Sequence, residues 1–497
     1  MPIGVNRTWV KYVEKGTWPD ARRYFSVFRC NHCSDAPCVA ICPTRALFKR
    51  EDGIVDFDTS RCIGCKSCMQ ACPYDALYID PDEHTAQKCN YCVHRVEVGL
   101  EPACVVVCPE QAIVAGDLAD PASRIARLVA TEQMFVRSPE QGTGPNVFYK
   151  GVEEANLDPL ATAPFTDGGL WRDPVAGYSP NGRDGHGGTQ MAAEPGPGVV
   201  RESPQAPPRV VYNTDHPMPW GWRVSSYFLT KGIAAGVVLA AAVAVLAGVG
   251  VDSAWMRWGV PVVAGLFLVI TGVLLVWDLK RPDRFYYLMT KGNPGSWLVR
   301  GAWILGLDAA VLGAWFLAGV VEADDLVRVM VWVGVPVALA TAGYTAFLFG
   351  QAEGRDLWQS PMLLWHMIAG AFAVGGGASL IAALGFDLEA AAEEAFAWAM
   401  AGGAIALGLL AGAELVSRHP NRNVAAAVHH MTRGRYALEW WAGGQVVGVL
   451  VPVVVGLLVA TRVIEPWAGA VGGVAAAAGI WFADDAFVRA GQSVPLS

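Results

Sequence analysis

The sequence predicts a small α+β domain followed by an all-α polytopic membrane domain of eight transmembrane helices. All 12 cysteines of the 497-residue chain lie between Cys30 and Cys108, among short, turn-bounded segments. From about Trp220 onward, long runs of Ala, Val, Leu, Gly and Trp carry almost no charge, which is typical of membrane helices. A chain of this length also exceeds one compact domain, so separate units are expected.

Charge and the N-terminal residues exclude two classes of protein. The net charge is −8 and the sequence has no basic tail, so nucleic-acid binding is not expected. The N-terminal stretch MPIGVNRTWVKYVEKGTWPD lacks the apolar segment of a secretory signal. The pair Arg22–Arg23 is followed by cysteines instead of an apolar segment, which argues against a twin-arginine signal.

Three groups of four cysteines lie in the N-terminal domain, residues 1–150. Their spacings are C-x2-C-x4-C-x3-C-P, C-x2-C-x2-C-x3-C-P and C-x2-C-x11-C-x3-C-P. Thiolates this dense, ending in Cys-Pro, favour [4Fe–4S] clusters. Zinc sites usually use two separated pairs, and disulfides are rare in the cytoplasm, so both alternatives are weaker. The groups are Cys30, Cys33, Cys38 and Cys42; Cys62, Cys65, Cys68 and Cys72; and Cys89, Cys92, Cys104 and Cys108.

The cysteine before each proline is expected to bind the cluster of the neighbouring motif, as in two-cluster ferredoxins. Cys72 would then complete the cluster of the first group, and Cys42 would complete the cluster of the second group. The N-terminal domain is therefore predicted to be a ferredoxin-like iron–sulfur domain with two complete clusters close to each other.

A linker and eight helices are predicted to follow. Residues 151–215 are rich in Pro, Gly and polar residues without periodicity, so a flexible linker is expected before the membrane domain, residues 216–497. Each helix holds about twenty mainly apolar residues, enough to cross roughly 30 Å of hydrocarbon. The helices are predicted at roughly 222–249, 255–278, 297–320, 327–350, 361–385, 392–415, 440–461 and 466–488.

Loop charge orients these helices. The loops on the side of the N-terminal domain are rich in Lys and Arg, as in DLKRPDRFYYLMTKG and VSRHPNRNVAAAVHHMTRGRY, whereas the opposite loops VEADDLVR and FDLEAAAEE are mostly acidic. The positive-inside rule then puts the N-terminal side in the cytoplasm. Thiols there stay reduced and available to metal.

Two known families resemble the two halves. CNHCSDAPCVAICPTRALFKREDGIV and CIGCKSCMQACPYDALY resemble the four-cluster ferredoxin subunits of molybdopterin oxidoreductases, of the polysulfide, DMSO and tetrathionate reductase types. HPMPWGWRVSSYFLTKGIAAG, DLKRPDRFYYL and GRDLWQSP resemble the NrfD/polysulfide-reductase membrane subunit, which binds quinone. The two are usually separate chains, and here they look fused. The resemblance implies a molybdopterin oxidoreductase as catalytic partner and menaquinone or ubiquinone as substrate.

The third cysteine group departs from the ferredoxin family. That family begins with a further C-x2-C-x2-C-x3-C motif, which exchanges ligands with the last group and which this sequence lacks. Cys108 therefore has no evident cluster to complete. The third group holds a cluster alone, or is degraded, or has its partner motif upstream of Met1. Three clusters are expected in all.

Two charges are predicted deep in the membrane domain. Lys231 lies 11 residues past Trp220 and Asp308 lies 11 residues past Trp297, and both helices enter from the same side. Both are then roughly 16 Å deep at 1.5 Å per residue. A lysine at that depth needs an opposite charge, so a Lys231–Asp308 ion pair is predicted. A structural role and a proton or quinone role are equally open.

Polar rings are predicted nearer the N-terminal face. Tyr227, Tyr344 and His366 should each lie roughly 8–11 Å below that surface. Singly, such residues are commonly packed or interfacial. As a set they suit a quinone headgroup, which needs hydrogen-bond donors at its carbonyls and a path for protons. His429 and His430 lie in a basic loop and are interpreted as interfacial.

Together these features predict an electron-transfer and membrane-anchor subunit of a quinone-linked respiratory oxidoreductase. No nucleotide loop, pterin-binding domain or haem motif is evident in the sequence, so substrate chemistry is assigned to a partner chain. A redox-driven ion or proton pump that uses Lys231 and Asp308 is the main alternative, and an iron–sulfur sensor on a membrane anchor is a weaker one.

Overall fold

The chain forms two compact units, seen in a computed structural model that describes residues 2, 4–16, 19–162, 208–214 and 217–497. The predicted fold class is confirmed, because short strands and helices form the first unit and long helices form the second. The first unit consists of Met1–Pro217, Ala352–Gly354 and Val494–Ser497, and the second of Met218–Gln351 and Arg355–Ser493.

A three-stranded antiparallel sheet lies in the first unit. Its central strand β1 (Thr8–Lys15) pairs with β2 (Arg22–Arg29) on one side and with β9 (Arg209–Tyr212) on the other. Alternate residues of β1 are buried from Trp9 to Val13, as expected of a strand with one face on a core.

Two helix–hairpin repeats carry the first two cysteine groups. In each repeat a short helix is followed by a two-stranded antiparallel hairpin, in step with the repeated cysteine motif. The first repeat is α1 (Pro37–Ile41), β3 (Leu47–Lys49) and β4 (Val55–Phe57), and the second is α2 (Ser67–Ala71), β5 (Leu77–Ile79) and β6 (Ala86–Lys88). The other elements of the unit are α3 (Val93–Val96), α4 (Ala103–Val106), α5 (Arg124–Thr131), β7 (Met134–Phe135), β8 (Tyr149–Lys150) and α6 (Glu154–Leu157).

The predicted linker 151–215 is folded at both of its described ends. Near its start α6 buries Leu157, and the side-chain amide of Asn156 donates to Ser26 Oγ at 2.9 Å. Near its end β9 adds to the edge of β1. The first unit therefore extends past residue 150, because apolar and hydrogen-bonding residues there pack onto its sheet. Residues 163–207 of the predicted linker lie outside the described residues.

Eight helices in the described part of the second unit are long and apolar enough to cross a membrane, as predicted. The largest difference from the predicted ends is at the last helix, which ends at Ser493 instead of 488. The spans are Trp222–Leu246, Trp255–Asp278, Trp297–Val320, Asp324–Gly350, Leu363–Ala382, Ala390–Val416, Glu439–Ala460 and Pro466–Ser493. The helices within them are α7 (Trp222–Leu246), α8 (Val260–Asp278), α10 (Trp297–Val320), α11 (Asp324–Gly350), α12 (Leu363–Ala382), α13 (Ala390–Val416), α15 (Val451–Ala460) and α16 (Gly469–Ser493).

Two of the spans begin with π-helical segments, Trp255–Gly259 before α8 and Glu439–Leu450 before α15. Two shorter helices lie in the loops, α9 (Tyr287–Thr290) and α14 (Arg422–Thr432). The sequence analysis missed both loop helices.

Small residues let the membrane helices approach closely. A methyl group on Gly236 of α7 would overlap the backbone of Ala371 and Gly375 in α12. A methyl group on Gly377 of α12 would likewise overlap Gly473 in α16. Such small-residue contacts are the usual way in which helices pack in lipid, where no hydrophobic effect drives them together.

Candidate functional site

The cysteines of the first two groups lie in the interior of the first unit. Seven of these eight are buried, and Cys65 is partly exposed. Both α1 and α2 end one residue before a Cys-Pro pair, at Cys42 and Cys72, and both of these cysteines have extended backbone angles. A residue before proline is disfavoured in the helical region, so the chain turns away from its own motif at each of these cysteines.

The side chain of Cys72 lies among the thiols of the first group. Among the thiols, Cys38 has its strongest electrostatic interaction with Cys72, followed by those with Cys30 and Cys33. Cys72 in turn interacts with Cys30 and Cys33, although its own motif is the second one. These four thiols form one set, which we call set A.

Cys42, which belongs to the first motif, lies among the thiols of the second motif. One cavity is lined by Cys42 together with Cys62, Cys65 and Cys68. The strongest thiol neighbour of Cys65 is also Cys42. These four thiols, which we call set B, surround a common space although they come from two motifs.

Backbone N–H groups are directed at the sulfur atoms. The Leu47 N–H donates to Cys42 Sγ at 3.5 Å, and the N–H groups of Gly64 and Ala86 donate to Cys62 Sγ at 3.4 and 3.3 Å. Hydrogen bonds of this kind stabilise the sulfurs of iron–sulfur clusters. Four thiols in each set, their burial and these donors fit [4Fe–4S] clusters.

Burial changes the acidity of these thiols. It raises the pKa of Cys33 to about 11 and the pKa of both Cys65 and Cys72 to about 12, with neighbouring thiols adding to the effect. Without a cation, thiols with such pKa values stay protonated at neutral pH. Iron binds the thiolate form, so metal binding at these sites releases protons.

The third cysteine group is more exposed. All four of its members are partly exposed. Cys89 interacts with Cys30 of set A, and the Arg29 guanidinium donates to Cys104 Sγ at 3.1 Å. Backbone N–H groups, foremost that of Ile113, lower the pKa of Cys108. The prediction of a cluster at the third group therefore rests on its spacing more than on its burial.

A cavity of about 630 Å³ lies inside the second unit. This volume is in the range of small-molecule sites, roughly 300–1,000 Å³. Most of its lining is apolar. Membrane helices contribute four titratable residues to the lining: Lys231 of α7, His366 of α12, Glu414 of α13 and Asp484 of α16. The segments between helices contribute Asp356, Arg418 and His419.

His366 and Glu414 form a polar pair in the lining of this cavity. His366 Nε2 lies 3.2 Å from Glu414 Oε2, and the Ser360 hydroxyl donates to Glu414 Oε1 at 2.7 Å. His366 lies in the first turn of α12 and Glu414 in the last turn of α13. The pair therefore sits at the ends of the helices, where it can hold or pass a proton.

The predicted ion pair of Lys231 and Asp308 is wrong for these two described residues. The Lys231 ammonium donates to the Ala342 carbonyl at 2.8 Å and to Thr345 Oγ1 at 2.7 Å. Asp308 Oδ2 instead accepts from the Thr341 hydroxyl at 2.9 Å. Both side chains are buried and contact α11, but the rotation of their helices directs them to different residues.

Tyr227 and Tyr344 are buried, but they are not among the described residues that line the cavity. Both hydroxyls interact with Thr345, which also binds Lys231. The Lys231 ammonium lies 4.9 Å from the centre of the Tyr344 ring. The two tyrosines thus form a cluster with Thr345 and Lys231. Of the three polar rings in the predicted set, only His366 is among the described residues that line the cavity.

Sequence reasoning missed two titratable residues that membrane helices contribute to the cavity. Asp484 is the acidic group with which Lys231 interacts electrostatically, and Glu414 pairs with His366. Asp484 and Asp485 are adjacent acids inside an apolar helix, a signal that marks functional positions in membrane proteins. The two histidines of the basic loop lie on α14, where His430 is buried and His429 is partly exposed.

Comparisons with known families match both halves. The 4Fe-4S dicluster domain family matches residues 21–118, and the family described as polysulphide reductase, NrfD, matches residues 210–494. The first match covers the cysteine motifs, and the second covers all eight membrane spans.

Curated relatives match the N-terminal part. A tetrathionate reductase subunit of Salmonella typhimurium is 51% identical over 133 residues, which are 26% of this chain and 53% of that subunit. A polysulfide reductase subunit of Wolinella succinogenes is 41% identical over 145 residues, 29% of this chain and 75% of the relative. The thiosulfate reductase electron transfer subunit PhsB of Salmonella typhi is 39% identical over 156 residues, 31% and 80% of the two chains. The chain thus spans about half the length of the tetrathionate reductase subunit.

Proposed function

This protein is a member of the polysulphide reductase NrfD family, and from this membership we propose that it is the electron-transfer and membrane-anchor subunit of a quinone-linked respiratory oxidoreductase. It is a multi-pass membrane protein whose N-terminal part is a 4Fe-4S domain. In the proposal, this domain relays electrons between a catalytic partner and quinone in the membrane unit.

The proposed electron path begins at the two thiol sets. Each set would hold one [4Fe–4S] cluster, which supplies a one-electron carrier when bound. The exchange of Cys42 and Cys72 keeps the two clusters close together, which suits electron transfer between them. Cys89, Cys92, Cys104 and Cys108 would hold a third cluster.

The cavity of the second unit carries the quinone part of the proposal. Reduction of a quinone to a quinol takes two electrons and two protons, and oxidation releases them. The His366–Glu414 pair in the cavity lining can donate or accept such a proton. The apolar lining suits the ring and tail of a quinone, and Lys231 adds a cation to the lining.

The partner and the membrane side complete the proposal. A molybdopterin oxidoreductase subunit is the proposed catalytic partner, since the relatives are named as parts of tetrathionate, polysulfide and thiosulfate reductases. The basic loops favour the cytoplasm as the side of the N-terminal unit. Menaquinone or ubiquinone is the proposed membrane substrate.

His366→Leu tests the cavity as the quinone site. We expect the clusters to assemble and to accept electrons as in the wild type, while electron transfer to a quinone analogue falls roughly tenfold or more. The loss of one hydrogen bond to a group that develops charge is worth roughly 1.5–3 kcal/mol, which is a factor of this size. The rate of electron transfer is measured in isolated membranes, by stopped-flow oxidation of the reduced clusters by the quinone analogue.

His429→Leu is the matched control, because His429 is not among the described residues that line the cavity. Its rate should equal that of the wild type. A normal rate in His366→Leu would refute the cavity as the quinone site and move the site to the cluster of Tyr227 and Tyr344.

A further inference from the structure

Lys88 is a fully buried cation in the first unit. It is the last residue of β6 and is 0% exposed. Its ammonium donates to the carbonyl oxygen of Val55 and, at 3.0 Å, to that of Cys89. Carbonyl oxygens satisfy the N–H groups but do not neutralise the charge. A buried ammonium is costly unless an anion compensates for it.

The groups that face Lys88 are thiols that would hold a cluster. Cys33 and Cys38 of set A both interact electrostatically with the Lys88 ammonium, as does Cys89. The geometry of the loop supports this position. Val55, whose carbonyl accepts from Lys88, donates its own N–H to His32 Nδ1 at 3.1 Å, and His32 lies between Cys30 and Cys33 in the sequence.

Arg137 is a second buried cation, on the Cys72 side of set A. It is 1% exposed, and its guanidinium lies 4.0 Å from the centre of the Phe28 ring. It donates to the Tyr74 carbonyl at 3.4 Å and interacts electrostatically with Cys72. Set A thus has one buried cation near Cys33 and Cys38 and another near Cys72.

We propose that Lys88, assisted by Arg137, raises the reduction potential of the cluster held by set A. The inference rests on the proposed function, since it requires a cluster at these thiols. A cluster with four thiolate ligands is an anion, and one-electron reduction makes its charge more negative by one. The electron comes from the neighbouring cluster or from the catalytic partner. A fixed cation nearby stabilises the reduced form more than the oxidised form.

The potential of the set A cluster would then depend on residues that bind no iron. Set B has its own buried cation, Lys66, which lines the same cavity as its thiols. Lys66 stays unchanged in the test below, so the set B cluster serves as an internal reference in every variant.

Lys88→Met and Lys88→Gln remove the charge, and Lys88→Arg keeps it. EPR-monitored redox titration of the full chain in membranes measures both clusters. We expect the ratio of reduced to oxidised set A cluster at a fixed applied potential to fall about tenfold in the Met and Gln variants, a shift of ~59 mV to more negative potential. The set B cluster should keep its potential, and Lys88→Arg should match the wild type.

Lys11→Met is the control for the replacement of a buried lysine in general. Lys11 is also 0% exposed and lies in the same unit, but its electrostatic neighbours are Arg137 and Asp158. Its variant should leave both potentials unchanged. A Gln variant that behaves like the wild type would overturn the inference, because the amide retains a hydrogen bond but no charge. Absence of both cluster signals in the wild type would instead overturn the proposed function.

Discussion

The Cys-Pro pairs determine how thiols are shared between the two sets. Proline removes a backbone donor and disfavours a helical residue before it, so Cys42 and Cys72 leave their short helices in extended conformation. This purely local effect directs each side chain to the other motif. The exchange was predicted from spacing alone because its cause lies within two adjacent residues.

Cys72→Ser tests the exchange. We expect the variant to lose the cluster of Cys30, Cys33 and Cys38 while the cluster of Cys65 remains, because serine is a weaker ligand than a thiolate. The EPR spectrum of Cys72→Ser should then resemble that of Cys33→Ser. Resemblance to Cys65→Ser would contradict the exchange.

A second prediction concerns Lys11. Burial, and to a smaller extent repulsion by Arg137, lowers the pKa of Lys11 to about 7. In the unfolded chain, Lys11 keeps its proton up to about pH 10.5. Between pH 7 and 10.5 the unfolded state therefore binds more protons than the folded state, so the stability of the fold rises with pH in this range. Lys11→Met should therefore be more stable at pH 7, by on the order of a few kcal/mol, and this advantage should shrink as pH rises.

This difference in stability is measured in the full chain by the loss of iron–sulfur absorbance on heating. The measurement is repeated at several pH values between 7 and 9.5. Lys15→Met is the control, since Lys15 lies on the same strand but its side chain is 37% exposed and pairs with Glu153. Its effect should be small and nearly independent of pH. Parallel pH curves for the wild type and Lys11→Met would show that Lys11 is not a buried charge.

Side-chain direction within the membrane helices was beyond sequence reasoning. Depth follows from the rise per residue, so Lys231 and Asp308 were correctly assigned to the helix interiors. Their partners depend on the rotation of each helix, which is set by packing against the neighbouring helices. Lys231 therefore binds Thr345 and Asp308 binds Thr341, and the predicted pair, on which the ion-pump alternative rested, does not form.

At the scale of elements, long apolar segments determine the eight spans and small residues determine how they pack. The spans were predictable because each must match the thickness of the bilayer. The loop helix α14 was missed, although Asn421 is a good helix-capping residue. Its side chain accepts from the Val424 N–H at 2.9 Å. A basic loop of mixed composition lacks the long apolar run by which the other helices were recognised.

Adjacent glycines of α13 test the packing of these helices. A methyl group on Gly403 would overlap the backbone of Ala369 and Ala373 in α12, whereas a methyl group on Gly402 would meet open space. Gly403→Ala should therefore destabilise the second unit by about 1–3 kcal/mol, as overpacking does. Gly402→Ala should be neutral or slightly stabilising, because alanine favours the helix. Thermal inactivation of the protein in detergent compares the two, and equal midpoints would contradict this packing.

At the scale of the whole molecule, composition separates the two units but long-range contacts set their limits. Cysteines and apolar runs occupy different halves of the chain, so the division was predictable. The inclusion of Val494–Ser497 in the first unit was not. It depends on contacts such as that of Arg137, which donates to the Leu496 carbonyl at 2.6 Å across 359 residues of sequence. Local patterns carry no information on such a contact.

The final prediction concerns the orientation of the whole chain in the membrane. Eight spans return the chain to the side on which it enters, and the proposed orientation, based on the basic loops, puts that side in the cytoplasm. A fluorescent protein that matures in the cytoplasm should therefore be active when fused after Ser497. A phosphatase that is active only outside the cytoplasm should be inactive at the same position. A fusion at Gly385, between the fifth and sixth spans, should give the opposite pattern. Phosphatase activity at both positions would contradict the number of spans, and exchange of the two patterns would contradict the orientation. Because the two failures differ, the pair of fusions separates the count, which depends on hydrophobic length, from the orientation, which depends on loop charge.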